Sequence, residues 1–443
     1  MKKSFLTIIT ALVISAGTPA IAQETWNLQQ CIDYALDNNI QIKQQNLSVE
    51  YQKNQLDQAK SNRLPNLNAQ LGNSYSFGRS LNTYQNTYEN NNSNSISGYV
   101  GTDLTLWNGF QLQNIVRQRE LDLQATMQDY QKAKDDLILN IAAMYLEILF
   151  AEELTGIDEN QIGITRQQID RSIKLIESGR LAKGSLYETE AQLASEELQL
   201  VTDQNRSQLA YLNLYQMLEL PQGKSFKVEK PKFPEIKADG VNFNSLAIFN
   251  NALLTRPEIQ ASQMRMESAQ RQLEQAKGSR WPKLTFGASY YNSYYNNYTE
   301  GIAPFFTQVK HNNRYGLGLT LNIPVFNQFQ VKNGISNAML QVEDYKYRLQ
   351  SSRNTLQKEI EQAYTNALTA LKKYISGEKA VSSSAEAFRY AEEKFNVGMI
   401  TTVEYNQVKN NLTAAQSQLS QAKYEYIFRS KILDFYNGIP IKL

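Results

Sequence analysis

Two glutamates stand where their spacing prescribes a partner. Thr401-Thr402-Val403-Glu404 and Ser185-Leu186-Tyr187-Glu188 each place a hydroxyl three residues before a carboxylate. That is the spacing of a capping box, in which the two side chains satisfy each other's backbone N–H groups at a helix start. The chemistry on offer is a fixed negative charge on a helix terminus, not proton transfer. An enzyme needs a converging set of reactive groups, and the rest of the chain offers none. The single histidine, His311, lies among asparagines in a polar stretch. The single cysteine, Cys31, falls in a helical pattern with Leu28, Ile32 and Ala35 and reads as a buried free thiol. A lipid-modified Cys would want small residues before it, and Gln29 and Gln30 precede this one. The remaining acids lie on helix faces, where solvation explains them. The sequence therefore predicts a protein that is not an enzyme and holds no metal or cofactor.

The elements that carry these glutamates are set by export, duplication and periodicity. Lys2 and Lys3, the short apolar run 5–16 and Ala20-Ile21-Ala22 read as a signal peptide over 1–22. Removing it leaves 43 basic and 43 acidic residues, a neutral chain without the basic surplus that nucleic acid demands. No later stretch has 18 consecutive apolar residues, so no transmembrane helix is expected.

The chain repeats itself. "AKSNRLPNL" at 59–67 matches "AKGSRWPKL" at 276–284, an offset of 217. "LWNGFQ" at 106–111 matches "VFNQFQ" at 325–330, an offset of 219, and Gly179 matches Gly398 at the same offset. This predicts a first repeat over 23–221, a linker over 222–243, a second repeat over 244–440 and a short tail, 441–443. Each repeat reads as helix, strand, polar loop, strand, very long helix, sharp turn and returning helix, with long hairpins at about 110–220 and 329–437.

The long helices carry heptad positions through the duplication. Leu137, Ile141, Met144, Ile148, Ala151, Ile162, Ile169 and Ile176 become Leu356, Ile360, Ala363, Ala367, Ala370, Val381, Phe388 and Phe395. The returning helices continue with Leu186, Leu193 and Leu200, and with Tyr405, Leu412 and Leu419. This is coiled-coil packing, and alone it suits a soluble scaffold.

The strands argue otherwise. Four segments, at about 66–78, 97–107, 283–295 and 314–325, alternate with period two. Leu67, Leu71, Tyr75 and Phe77; Leu104 and Leu106; Leu284, Phe286 and Tyr290; and Leu317, Leu319 and Leu321 fall on one face, against Gly, Ser, Thr and Asn on the other. Transmembrane β-strands need about 9–11 such residues, apolar toward lipid and aromatic at the interfaces. Four strands cannot close a barrel, and an open edge cannot sit in lipid. Small polar residues on the inner face favour a lumen, hence three chains and about 12 strands. A four-stranded soluble sheet packed on a helix is the other solution.

On these residues the chain resembles the TolC-like outer-membrane efflux protein family. The opening "WNLQQCIDYALDNNIQI", the duplication, the two strands per copy and the turns "GRLAKGSLY" and "GMITTVEYN" carry the resemblance over essentially the whole mature chain. It implies a mainly α fold with a small β part: a homotrimer with a twelve-stranded barrel in the outer-membrane lipid, continued by a long periplasmic α-helical barrel. It implies an exit duct of a tripartite efflux or type I secretion system in a Gram-negative outer membrane. The implied partners are a periplasmic adaptor (membrane fusion) protein and an inner-membrane transporter of RND, ABC or MFS type. The rival class is an exported, non-conducting coiled-coil scaffold. The cargo is not named by any of these residues.

The resemblance also implies site residues. The tips around Gly179, Arg180, Leu181, Gly398, Met399 and Ile400 would meet the adaptor. Family members line a periplasmic constriction with acids six and nine positions after the second-copy tip glycine; here these are Glu404 and Gln407, with Ser185 and Glu188 at the first-copy positions. Glu404 fits that ring and Gln407 departs from it. Capping alone also accounts for Glu404. The family's tip-closing Tyr and Arg are Phe395 and Ile400 here, so the polar latch is absent and closure needs other contacts.

Overall fold

The computed structural model describes residues 24–82, 86–90, 92–221, 226–233, 236, 244–298 and 301–442. The expected signal peptide and most of the linker 222–243 lie outside them. The chain divides into two compact units, one of residues up to 35, 141–235 and the last two, the other of residues 36–140 and 236–441.

In the first unit, strand β1 (Glu24–Trp26) pairs in parallel with β6 (Phe226–Val228). The start of helix α1 (Leu28–Asn38) packs beneath them. Trp26 stacks on Tyr34 and Phe226, with ring centroids 5.2 and 5.4 Å apart. The Tyr145 hydroxyl, on the long helix α3 (Gln111–Glu177), reaches the carbonyls of Glu229 at 2.6 Å and Trp26 at 3.2 Å. Tyr211, on the returning helix α4 (Lys183–Leu218), accepts from the Val228 N–H and donates to Glu152. Two tyrosines thus tie the long helices to this short ladder, and the Trp26 carbonyl also accepts from the Glu229 N–H at 2.9 Å. Cys31 is fully buried and free, and burial pushes its thiol up to about 12.

The second unit holds a four-stranded sheet and the second repeat. Strands β2 (Asn68–Ser76), β5 (Ser93–Trp107), β7 (Lys283–Asn296) and β8 (Arg314–Asn322) form one antiparallel sheet in that order. Helices α2 (Ile40–Ser61) and α6 (Pro257–Gly278) stop just before the prolines that precede β2 and β7. Helix α5 (Ser245–Thr255) precedes α6, and α8 (Gln330–Asn396) and α9 (Thr402–Tyr436) complete the second hairpin. The duplication shows in the lengths: α1 and α5 have 11 residues each, α2 and α6 have 22, and α3 and α8 have 67. Ile248, Ala252 and Ile259 close a core against Leu349, Leu356, Ile360, Ala363, Ala367 and Leu433. Leu356, Ile360, Ala363 and Ala367 are expected heptad positions.

The sheet differs from the expected strands at its ends. β8 stops at Asn322 because Pro324 has no N–H to give a ladder. β5 starts at Ser93, four residues early, because β7 runs to Asn296 and supplies partners to Asn94, Ser95 and Ile96. The expected polar loops carry structure of their own. A hairpin of β3 (Arg79–Asn82) and β4 (Thr87–Asn90) leads the first toward β5. Helix α7 (Phe305–His311) lies in the second, where Phe305 packs edge-on to Tyr294 at 5.1 Å. Gln308 donates to the Tyr295 carbonyl at 2.8 Å and accepts from its N–H at 3.0 Å, while Asn312 donates to the Ser293 carbonyl.

Where sheet meets helix, backbone touches backbone. A β-carbon on Gly109 would lie 2.3 Å from the Gly278 carbonyl oxygen, and one on Gly278 would lie 2.5 Å from that of Gly109. Gly109 also has φ +64°.

Candidate functional site: the hairpin tips and the apolar sheet face

Both hairpins turn by the same device. In the second copy, Gly398 has φ +76°; its N–H donates to the Phe395 carbonyl at 3.1 Å and that of Met399 to Lys394 at 2.9 Å. In the first copy, Gly179 has φ +73°, with Gly179 N–H on Ile176 and Arg180 N–H on Leu175, both at 2.9 Å. These are Schellman motifs, which require a left-handed residue at this position. No atom crowds either glycine, so conformation alone demands it. Gly398→Ala is expected to cost about 1 kcal/mol, read as faster hydrogen exchange at the amides of Phe395–Ile400 while the sheet exchanges as before. Around the second tip Val397, Met399 and Val403 are exposed, and Ile400 is half-buried; around the first, Arg180 is exposed and Leu181 half-buried.

After the turns the copies part. Thr401 is the N-cap of α9: its hydroxyl accepts from the Glu404 N–H at 3.2 Å, and Glu404 accepts from the Thr401 N–H at 2.8 Å. The Thr401 N–H and hydroxyl hold the Glu404 carboxyl below the usual carboxylate range, so it stays ionised on an exposed helix start. Gln407, one turn on, is exposed and donates to Asn411. The capping box expected at Ser185 does not form. Helix α4 starts at Lys183 with Ala182 as a cap that offers no side-chain acceptor. Ser185 therefore lies inside the first turn, its carbonyl accepting from the Thr189 hydroxyl, and Glu188 is exposed. The structural counterpart of Thr401 is Ala182, and that of Glu404 is Ser185.

At the position of the missing latch tyrosine, Phe395 is buried against Tyr405 with centroids 4.8 Å apart, and Phe388 meets the same ring at 5.5 Å. Stacked aromatics hold the two arms of this hairpin together just above its turn.

The first hairpin hides a polar seam. Asp158, Gln161, Thr165, Gln168 and Ser172 on α3 and Thr189, Glu196 and Asp203 on α4 are all buried. Thr165 donates to Glu196, Gln192 donates to the other Glu196 oxygen, and Gln199 donates to Asp203. Asp158 bonds to Asp203. Burial, then this bond and the charges of Asp203 and Glu196, raise its carboxyl to about 7. Asp158 Oδ2, Gln161 Nε2, Gln168 Nε2 and Ser172 Oγ find no partner among the described residues. At the offset of 219 the second hairpin has Gly377, Ala380, Ser384, Ala387, Ala391, Val408, Ala415 and Ala422. At these positions the second hairpin carries small, mostly apolar side chains, of which Ala391, Ala415 and Ala422 are buried and Ala380 and Ala387 exposed.

The sheet has a mostly apolar face, shared by Asn73, Asn94, Thr102 and Asn292, and a mostly small and polar one, shared by Tyr99, Tyr291 and Tyr295. The registers put Ala69, Leu71 and Tyr75 on one side with Val100, Leu104, Phe286, Ala288, Tyr290, Tyr315, Leu317 and Leu319. Leu67 and Phe77 flank β2 on the same parity, and Leu284 pairs with Leu321 on that side. The register shifts between Thr105 and Trp107, so Leu106 sits in a bulge and Trp107 stands opposite Leu284. Trp107 meets Trp281 and Phe110 edge-on at 6.3 and 6.5 Å, and Phe326 meets Phe329 at 5.7 Å. Aromatic residues therefore border the apolar band at the helix end as tyrosines do at the loop end. The seven residues from Leu284 to Tyr290, six steps of the strand, span about 20 Å, near the height of an outer-membrane apolar band.

Arg256, missed in the sequence, ties the second unit together. Its guanidinium pairs with Asp135 on α3 at 3.2 Å and with Glu258 on α6 at 3.1 Å. The same group lies over the rings of Phe435 and Tyr436 on α9. At the offset of 217 the first repeat has Asn39, which caps α2 with its own side chain.

The family model described as "Outer membrane efflux protein" matches residues 31–219 and again 248–436. The chain is 23% identical over 443 residues to "Outer membrane protein TolC" of Escherichia coli K12, covering 96% of this chain and 84% of that protein. It is 22% identical over 411 residues to "Toxin and drug export protein A" of Aggregatibacter actinomycetemcomitans, covering 90% of this chain and 83% of that one. The fold matches the crystal structure of the outer membrane protein VceC from Vibrio cholerae with a TM-score of 0.78 at 16% identity, over 94% of this chain and 97% of that one.

Proposed function

This chain belongs to the outer membrane efflux protein family, and we propose on that premise that three copies join their sheets into a twelve-stranded transmembrane barrel. The protein is an outer-membrane exit duct, passively conducting what an inner-membrane transporter and a periplasmic adaptor deliver to it. The observation that supports the barrel is the exposed apolar face of an open four-stranded sheet. Lipid solvates that face but not the two bare edges, so further strands must come from other chains. Two chains would give a barrel filled by its own side chains, whereas three leave a lumen. Gly72, Ser74, Gly101, Gly287, Ser289, Gly316 and Gly318, on the opposite parity, make that lumen polar and mostly small-sided, with Tyr99, Tyr291 and Tyr295 on the same side.

In this reading residues 1–22 are the export signal, and 222–243 join the repeats 23–221 and 244–440. The hairpins α3–α4 and α8–α9 supply the helical barrel. Their tips at Gly179, Arg180, Leu181, Gly398, Met399 and Ile400 meet the adaptor, and exposed Met399 gives that contact an apolar anchor. The transporter is of RND, ABC or MFS type. Three Glu404 carboxylates around the axis make the constriction cation-preferring, and Ser185, Glu188 and Gln407 line the same level.

Detergent-extracted protein should run as a trimer and conduct in planar bilayers; release from membranes by carbonate alone would exclude the barrel. Glu404→Gln separates pore charge from cap. Gln keeps the capping box and removes the charge, so cation preference should fall a few-fold with helicity unchanged. An unchanged preference leaves Glu404 only its capping role.

A further inference from the structure

One level of the sheet's polar face is built differently from those around it. The registers set Gln70, Tyr99, Tyr291 and Arg314 side by side across all four strands, each directly opposite the next. The next level toward the helices is Asn68, Gly101, Ser289 and Gly316, and the next toward the loops holds Gly72, Ser97 and Ser293. Four long side chains thus form a shelf between two rows of mostly small ones. They lie on the parity opposite to Leu71 and Phe286, so an aromatic girdle at the lipid interface does not account for the two tyrosines. Tyr99 lies down over its own strand: a β-carbon on Gly101 would collide with its hydroxyl and ring. The outer side of that ring stays open, and Tyr99 and Tyr291 are 40% and 37% exposed. Among the described residues neither ring stacks on another, neither hydroxyl is hydrogen-bonded and Arg314 has no ion pair. The nearest carboxylate on this face, Asp103, is two levels closer to the helices, about 13 Å along the strand from Tyr99. Lys310 and His311, in the turn of α7 just before Arg314, add only positive or neutral groups.

We propose that this shelf is a binding site in the lumen for planar aromatic anions, of the class of a two-ring aromatic carboxylate. The rings of the solute stack on Tyr99 and Tyr291, and its carboxylate takes the Arg314 guanidinium, whose planar fork matches it bidentately. From Tyr99 to Arg314 is two strand spacings, about 10 Å, a distance that a two-ring acid spans. Gln70, at the other end of the row, offers an amide to a polar substituent. A cation of the same shape meets no carboxylate here, and an aliphatic acid finds no ring partner. The inference rests on the barrel reading, which makes this face the lumen, and deepens it by naming a class of cargo. Three chains place three shelves at one level, on the loop side of the barrel.

Channel block in planar bilayers tests the site, with each probe added on the loop side so that it meets the shelf before the Glu404 level. Naphthoate should block the native channel saturably. Naphthylmethylammonium has the same rings and the opposite charge, and hexanoate has the charge without the rings; each should need a concentration at least about tenfold higher. Arg314→Gln should raise the half-blocking concentration of naphthoate about tenfold, and Tyr99→Leu a few-fold, each read against that variant's own open current. Gly101→Ala keeps every side chain of the shelf but displaces the Tyr99 ring, and its effect should match that of Tyr99→Leu. Lys283→Gln removes a cation from the same face, about 27 Å along β7 from Tyr291, and should leave the block as it is. Equal block by the ammonium probe, or a naphthoate block that neither Arg314→Gln nor Tyr99→Leu moves, overturns the site and leaves the duct standing. A loss from Lys283→Gln as large as that from Arg314→Gln also overturns it, since the general charge of the face would then be the cause. Native protein that passes no current at all overturns the barrel reading, and the shelf's place in a lumen with it.

Discussion

Asp158→Asn should make the first hairpin more stable at pH 8 and leave it nearly unchanged at pH 4. The Asp158 carboxyl titrates near 3.8 when unfolded and is raised to about 7 in the folded hairpin, first by burial and then by Asp203 and Glu196 on the facing helix. A raised acid favours folding while protonated. Its contribution is complete below the unfolded value and is lost as pH climbs through the folded one. Above pH 7 the native hairpin holds a charge beside two other carboxylates, and an amide of the same shape does not. The difference at pH 8 is on the order of 2 kcal/mol. Hydrogen exchange of amides between 158 and 203, measured at both pH values in detergent, reads it locally. The same protection in variant and native protein at pH 8 would mean that the ionised Asp158 carries no penalty in the folded hairpin.

Arg256→Met should have the larger effect in the second unit, about 3–5 kcal/mol of destabilisation. Methionine fills the space of the stem and can still touch Phe435 and Tyr436, but it leaves Asp135 and Glu258 without their shared cation. Burial already raises the Asp135 carboxyl, and the nearby guanidinium is the main counterweight. Removing that counterweight raises it further, so the loss should be greater at pH 8 than at pH 5. Thermal unfolding at the two pH values checks both the size and the sign. Adding Asp135→Leu should restore much of the stability, because a buried pair replaced by apolar groups costs far less than a buried charge left alone. A single variant that melts with the native protein would show the clamp to be without weight.

The sheet was legible because its signal has period two and no competitor. Leu67, Leu71, Leu317 and Leu319 alternate with small polar residues whatever the chain does elsewhere. The bulge at Leu106 was not legible: it inserts one residue and shifts the register that follows, and nothing in "LTLWNG" marks it in advance. The tips were legible through their glycines, which only a left-handed turn requires. The Phe395–Tyr405 stack was not, because the two rings lie ten residues apart and meet only when the hairpin closes. Ser185 misled because spacing alone does not say where a helix begins, and α4 begins three residues earlier.

The polar seam was hidden by its chemistry and present in the count. Continued through the first long helix, the heptad series from Leu137 to Ile176 passes through Asp158, Thr165 and Ser172. Polar residues there read as a solvated face, whereas the returning helix covers them with Thr189, Glu196 and Asp203. Comparison with Gly377, Ser384 and Ala391 at the same positions of the second copy is the signal that exposes them. Arg256 gave no such signal, since its partners come from three helices far apart in sequence.

The contact of Gly109 with Gly278 has a mechanical consequence. Side chains at a joint have rotamers and give way under load; two peptide backbones pressed together have none. Helix α6 therefore cannot roll about its axis without turning the β5–α3 corner with it. The joint is a coupling and not a bearing, and torque on α6 is delivered to the foot of the sheet undamped.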